Sequence, residues 1–228
     1  MTAFKYDTHV HTSEVSGCAK VSADEAVKMY KEAGYHGIVI TDHYCDSFFN
    51  GLGDLSWDQK MDRYLDGYNI ALNLGEKLGL KIILGMEIRF LENANDYLVY
   101  GIDEKFLKNY KELYKLSLKE FRELTKRESI LIFQAHPFRP GMIPAPAELL
   151  DGIEVYNGNP RHNSNNDNAY QYALKNRLRM LSGSDFHRRD GIAAGGIIVF
   201  ENIGDSHEFS DMIRNNKIIE LIRFPISK

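Results

Sequence analysis

The chain has only two cysteines in 228 residues, Cys18 and Cys45. Two thiols cannot form the disulfide framework of a small secreted domain, so both are read as reduced and the setting as cytoplasmic. Long apolar runs are missing as well: no stretch approaches the roughly 18 residues that a membrane-spanning helix needs. Residues 1–12 are polar and already hold candidate chemistry, which does not fit a signal peptide. Basic runs are absent and the net charge is −4, so non-specific binding of a nucleic acid polymer through phosphate neutralisation is not favoured. There is no low-complexity linker and no internal repeat, and one domain over residues 1–228 is the economical reading. Nothing in the sequence signals an oligomeric state.

What is present is a globular balance. Hydrophobic residues make up 43% and charged residues 26%, enough apolar side chain for a core. Short apolar runs alternate with helical stretches. Strands are expected over 4–10, 37–41, 82–84, 97–102, 130–133, 152–156 and 179–181, with late strands over 196–200 and 218–224. A helix is expected over 22–33, where Ser22 and Glu25 have capping-box spacing and Gly34 is the stop. Further helices are expected over 57–78, stopped by Gly79, over 104–128, over 167–176 and near 208–214. Segments 46–56, 139–146 and 157–168 read as loops that shape a substrate pocket. Repeated βα units imply an α/β fold with a mostly parallel sheet, either closed into a barrel or doubly wound.

The ends of these strands carry the chemistry. The first ends in Asp7-Thr-His9-Val-His11, and alternate residues of a strand share a face, so all three can point into one space. The second ends in Thr41-Asp42-His43, the third leads into Gly85-Met-Glu87, the fifth ends in Ala135-His136-Pro137 and the seventh in Gly183-Ser-Asp185-Phe-His187. Five of the eight histidines lie in these short motifs. In a βα barrel such ends gather on one rim, where they can hold metal ions together. The donors are imidazoles and carboxylates, which suit Zn, Mn or Fe. No thiolate is placed among them; Cys45, two residues past His43, is read as packed beside the ligands.

In this order the motifs resemble those of the PHP (polymerase and histidinol phosphatase) superfamily, over residues 7–187. The resemblance implies a distorted seven-stranded (β/α)7 barrel holding two or three divalent ions. It implies a first ion on His9, His11, Glu87 and Asp185, a second shared through Glu87 with His136, and a third on His43 and His187. Two positions depart from the family pattern. Where a further ligand follows the first motif this chain has Ser16 and Gly17, and Glu14 is the nearest substitute; at the start of the fourth strand Asp96 replaces a histidine.

Ions bridged by a carboxylate sit about 3.5–4 Å apart and bring the pKa of a bound water near neutrality. The resulting hydroxide attacks phosphorus in line while the metals neutralise the oxygens. The expected activity is therefore hydrolysis of a small-molecule phosphate mono- or diester, with Asp185 and His187 as catalytic residues. Arg139, Arg161 and His162 are candidates to bind the phosphate, since arginine can grip it bidentately. Asp7, Asp42, Glu154 and Asn157 are candidates to orient the ligands. Histidinol phosphatase, an amide-hydrolysing metal barrel and a non-catalytic PHP module are the alternatives; the intact motifs weigh against the last.

Overall fold

The computed structural model describes residues 2–126 and 128–223. Met1, Arg127 within the expected helix 104–128, and Phe224 at the end of the expected last strand lie outside them. Nine strands build a closed ring: β1 (Phe4–Val10), β2 (Gly37–Ile40), β3 (His43–Tyr44), β4 (Lys81–Leu84), β5 (Met86–Arg89), β6 (Asp96–Tyr100), β7 (Leu131–Gln134), β8 (Gly152–Asn157) and β9 (Arg179–Gly183). Only Thr41-Asp42 separates β2 from β3, and only Gly85 separates β4 from β5, so each pair occupies one position and the ring has seven. β1, β2 and β4 pair in parallel, with Ile38 opposite Ile82, and β3 pairs in parallel with β5. β7, β8 and β9 are parallel too. The chain just past β9 returns to β1: the Phe186 N–H donates to His9 O and the His11 N–H to Phe186 O, both at 3.1 Å. The α/β barrel is thereby closed and leaves no open edge between its first and last strands.

β6 breaks the expected parallel pattern by running antiparallel to both β5 and β7. The segment 90–95 that joins β5 to β6 is too short for a crossover, which takes a dozen residues or more. Outside the ring, β10 (Gly195–Val199) adds antiparallel to the first half of β1, and β11 (Glu220–Arg223) adds to β10.

The helices are α1 (Ala23–Glu32), α2 (Asp46–Gly51), α3 (Trp57–Tyr64), α4 (Asp66–Leu78), α5 (Glu104–Asn109), α6 (Leu118–Thr125), α7 (Asn166–Asn176) and α8 (Ser206–Arg214). Three differ from the patterning. The expected helix 57–78 is divided at Leu65 into α3 and α4. The expected helix 104–128 is α5, a 3-10 turn over Leu113–Lys115 and α6. The two α-helical pieces each have their own cap: the Asp103 carboxylate accepts from the Phe106 N–H, and Ser117 with Glu120 forms a capping box. Between them Glu112 lies at φ 52°, a backbone conformation that ends a helix. α2 occupies part of the expected loop 46–56. Gly79 does stop α4, at φ 67°.

Inside the ring, Tyr6, Val39, Ile83, Leu98, Phe133 and Leu181 form a buried apolar floor. α1 and α4 cover the outer face of β2 and β4 through Val27, Tyr30, Ala71, Ile38 and Ile82. α4 comes so close that a Cβ on Gly75 would meet Ile82 Cγ1 and Leu80 O at 2.6 Å. The floor and the covering helices together hold the strand ends above them in place.

Candidate metal centre

His9 and His11 end β1, His43 and Glu87 are directly opposite one another on β3 and β5, and His136, Asp185 and His187 follow β7 and β9. The reversal of β6 brings its first residue, Asp96, to this same rim, opposite Arg89 in the register. Three buried or nearly buried ligand groups result: His9, His11 and Asp185; Glu87, Asp96 and His136; and His11, His43 and His187.

The spacing fits ion coordination. His9 Nε2 lies 3.0 Å from His11 Nε2, 3.2 Å from Glu87 Oε1 and 3.5 Å from Asp185 Oδ1. His11 Nε2 is 3.5 Å from both Glu87 Oε2 and Asp185 Oδ1. Four donors held about 2.1 Å from one ion at tetrahedral angles stand roughly 3.4 Å apart. His136 Nε2 meets the same Glu87 oxygen as His9, 3.3 Å from Oε1, and lies 3.9 Å from Asp96 Oδ2. Glu87 is buried and, among the described residues, neither of its oxygens has a hydrogen-bond partner, although His43 Nδ1 comes within 2.7 Å of Oε2. A buried carboxylate that makes no hydrogen bond is costly unless a cation neutralises it. The residues therefore fit a polynuclear metal site.

The electrostatics agree. Burial opposes a charge on His9, but Glu154, Asp185 and Glu87 hold its proton affinity well above the ordinary histidine value. Burial together with His187 and His43 drives neighbouring His11 well below it. Burial pushes the carboxyls of Glu87 and Asp185 up, yet the surrounding imidazoles, His9 foremost, take both well below the usual range. Converging nitrogens that cannot all be protonated, set against carboxylates that stay ionised, form a natural cation site.

Behind the ligands, Glu154 accepts from His9 Nδ1 at 2.9 Å, from the His136 N–H at 3.0 Å and from Asn157 Nδ2 at 2.9 Å. Asp42 works through Ser16, whose hydroxyl donates to Asp42 Oδ1 at 2.7 Å and stands 3.0 Å from His11 Nδ1. Asn159 Nδ2 donates to Asp185 Oδ2 at 3.2 Å. His136 and Asp185 sit at φ 29° and 50°, so two of the ligand positions carry strained backbone.

Two expectations need correction. Asp7 does not share the face of His9 and His11. Its Oδ1 accepts from the Ser184 and His9 N–H groups and its Oδ2 from the Tyr30 hydroxyl of α1. The register of β1 against β2 shifts between Asp7 and Val10, and this irregularity breaks the two-residue alternation. Burial raises the Asp7 and Asp42 carboxyls to about 6 each. Glu14 stands apart from the cluster: both of its oxygens lie 3.1 Å from the Ala23 N–H at the start of α1. It takes the place of the Ser22 cap, because the Ser22 hydroxyl donates to Asp24 instead. Cys18, which sequence patterning did not single out, faces the cluster, with Sγ 3.2 Å from His43 Nε2 and 3.0 Å from His187 Nε2. Burial raises its thiol, but these two imidazoles outweigh burial and lower it to about 6.

A cavity of about 650 Å³ opens over the centre, with His43, Asp96, His136, Asp185 and His187 in its lining. Arg89, Arg139 and Arg161 line it too, with Val15 and Phe48 on an apolar side. Arg89 was not anticipated from the sequence; it grips Asp96 through two 2.7 Å hydrogen bonds. His162 Nε2 lies 3.7 Å from Asp185 Oδ2 and has no hydrogen-bond partner. Burial, and then Arg139, lowers the His162 imidazole to about 4. Cys45 also lines the cavity, its Sγ 3.2 Å from the Ser47 hydroxyl. Among the described residues no helix is long and apolar enough to cross a membrane.

A sequence profile described as the PHP domain matches residues 7–187. No curated protein matches the chain at a significant level. Among solved structures, the chain is similar to a two-domain protein from Bacteroides vulgatus ATCC 8482 containing a predicted PHP-like metal-dependent phosphoesterase. That pair has TM-score 0.67 and 21% identity, covering 95% of this chain but 64% of the other, so this chain spans less than two thirds of that protein. It is similar to PsfC from Pseudomonas syringae PB-5123, with TM-score 0.62 and 16% identity over 87% of this chain and 82% of that one. It is also similar to a candidate metal-dependent phosphoesterase from Bifidobacterium adolescentis ATCC 15703, with TM-score 0.55 and 18% identity over 92% and 95% of the two chains. At these identities the likeness is one of fold.

Proposed function

The chain belongs to the PHP domain family, and from that premise we propose that it is a metal-dependent phosphoesterase acting on a small-molecule phosphate mono- or diester. The observation that carries this reading is Glu87, a buried carboxylate with neither oxygen hydrogen-bonded among the described residues and with His9, His43 and His136 within 3.3 Å. His9, His11, Glu87 and Asp185 would hold one ion, Glu87, His136 and Asp96 a second, and His43 with His187 a third. The donors suit Zn, Mn or Fe. Such ions supply Lewis acidity, which polarises a phosphoryl group and makes a water ionisable at neutral pH.

The chain's own residues do the rest. Arg139 and Arg161 face the cavity and would bind the non-bridging oxygens of the phosphate. A carbonyl substrate has no use for such cations, which favours a phosphate ester over an amide. The backbone carbonyl of Asp185 accepts from His187 Nδ1 at 2.9 Å and so fixes the ring with Nε2 toward the third site. His162 is neutral at physiological pH and would accept a hydrogen bond from the substrate beside Asp185. Glu154 and Asn157 hold His9 and His136 in orientation. Residues 1–228 would act as one domain.

Quantifying bound metal and assaying hydrolysis of an aryl phosphate monoester and diester tests this. We expect at least two ions per chain and metal-dependent turnover. Stoichiometric metal with no turnover of any phosphate ester would remove the hydrolase reading.

A further inference from the structure

We propose that Cys18 is a thiolate ligand, completing with His43 and His187 a metal site of mixed sulfur and imidazole donors; this rests on the polynuclear reading above. The sulfur lies 3.2 Å from His43 Nε2 and 3.0 Å from His187 Nε2. Nitrogen and sulfur donors at about 2.0 and 2.3 Å from one tetrahedral ion stand roughly 3.5 Å apart. The observed separations fall short by a few tenths of an ångström, as does the 3.0 Å between His9 and His11.

Tautomers sharpen the case. A backbone carbonyl only accepts, so His187 Nδ1 carries the proton that it gives to Asp185 O, and Nε2 is the ring nitrogen left to face Cys18 and to bind an ion once deprotonated. His43 places Nδ1 2.7 Å from Glu87 Oε2 and its other nitrogen, Nε2, beside the sulfur. Two imidazole nitrogens that each approach the same sulfur suit a cation held among them. Independently of the cysteine, His11, His43 and His187 already bring three ring nitrogens within 4.8 Å of one another. Glu87, buried and with neither oxygen hydrogen-bonded among the described residues, abuts the same His43.

The loop that carries Cys18 is fastened on both sides. Ser16 is tied to Asp42 and receives the His43 N–H at 3.1 Å, and the Lys20 N–H donates to His187 O at 2.8 Å. The sulfur is thus presented to both imidazoles by backbone anchored to their own strand ends. The carboxylate nearest in sequence, Glu14, is engaged at α1 and does not compete. A thiolate changes which ion the site prefers: it favours a borderline-soft ion such as zinc, iron or cobalt and disfavours magnesium or calcium.

The test is anaerobic loading of the full chain with Co(II), read by metal content and by near-ultraviolet absorption. Wild type should show a thiolate-to-cobalt charge-transfer band. C18S should lose the band and bind one ion fewer, while C45S should keep both. A wild-type protein that binds its ions without the band, or a C18S variant that keeps it, overturns the assignment and leaves the polynuclear centre standing. Fewer than two cobalt ions on wild type would overturn both. Should C18S fail to fold, alkylation of wild type by iodoacetamide decides. Cobalt should slow modification of Cys18, mapped by mass spectrometry, at least ~10-fold relative to the metal-free protein, and equal rates overturn the proposal.

Discussion

One carboxylate, Glu154, connects the two histidines that flank Glu87: Oε1 accepts from His9 Nδ1 at 2.9 Å and Oε2 from the His136 backbone N–H at 3.0 Å. It fixes the tautomer of His9, so that Nε2 faces the metal site, and it steadies the strained turn at His136. Glu154→Gln keeps the shape but removes the charge. Metal affinity should fall about 10- to 100-fold, as measured by competition with a chromogenic chelator. Unaltered affinity would deny Glu154 this role.

Replacing a shared ligand should cost more than replacing a peripheral one. Glu87→Ala removes the carboxylate approached by His9, His43 and His136, and ions and turnover should disappear together. His43→Ala should retain the ions on the His9 and His136 sides while losing most of its turnover. Elemental analysis alongside kinetics separates the two, and an equal loss of all ions in both variants would contradict separate sites.

Removing the ions should destabilise the fold, because the ligands converge around the buried Glu87 and Asp185 carboxylates only in the folded chain and ions bound there favour that state. Ligand linkage contributes about 4 kcal/mol when the free ion is ~1,000 times its Kd. For a chain of this size that is a fall in Tm of roughly 10 °C. Calorimetry before and after dialysis against a chelator measures it; an unchanged Tm would mean that no ion had been bound.

Arg139→Ala should lower kcat/KM for phosphate esters by about 10- to 100-fold, the effect of one lost charge-assisted hydrogen bond. Metal content should not change, since Arg139 lines the cavity without belonging to any ligand group. Steady-state kinetics with metal analysis decides, and full activity would place the phosphate elsewhere.

Gly75→Ala tests the support of the site from outside the barrel. Its Cβ would meet Ile82 Cγ1 and Leu80 O at 2.6 Å, and pushing α4 away should cost about 1–3 kcal/mol. Denaturant unfolding should show the loss while metal stoichiometry stays constant. A variant as stable as wild type would mean that α4 can shift freely.

Much of the centre was legible in the chain because metal ligands at strand ends leave a local mark: an apolar run, then histidine or a carboxylate. His9, His11, His43, Glu87, His136, Asp185 and His187 all carried it. Strand positions were readable for the same reason, since burial in a barrel imposes short apolar runs. Helix lengths over 57–78 and 104–128 were not, because helical periodicity continues through a break when the pieces share a buried face. The caps at Asp103 and Ser117 were the overlooked signal.

The sequence by itself determined which donors are available and that they follow strands. Tertiary structure decided which of them meet. The short β5–β6 connection reverses β6 and carries Asp96 to the rim beside Arg89. A shifted register in β1 turns Asp7 away from His9, and the path of the loop after His11 delivers Cys18 while Glu14 goes to α1. Alternation and spacing are properties of neighbours along the chain. Strand direction, register and loop path depend on hydrogen bonds and packing between segments far apart in it, and no local pattern encodes those.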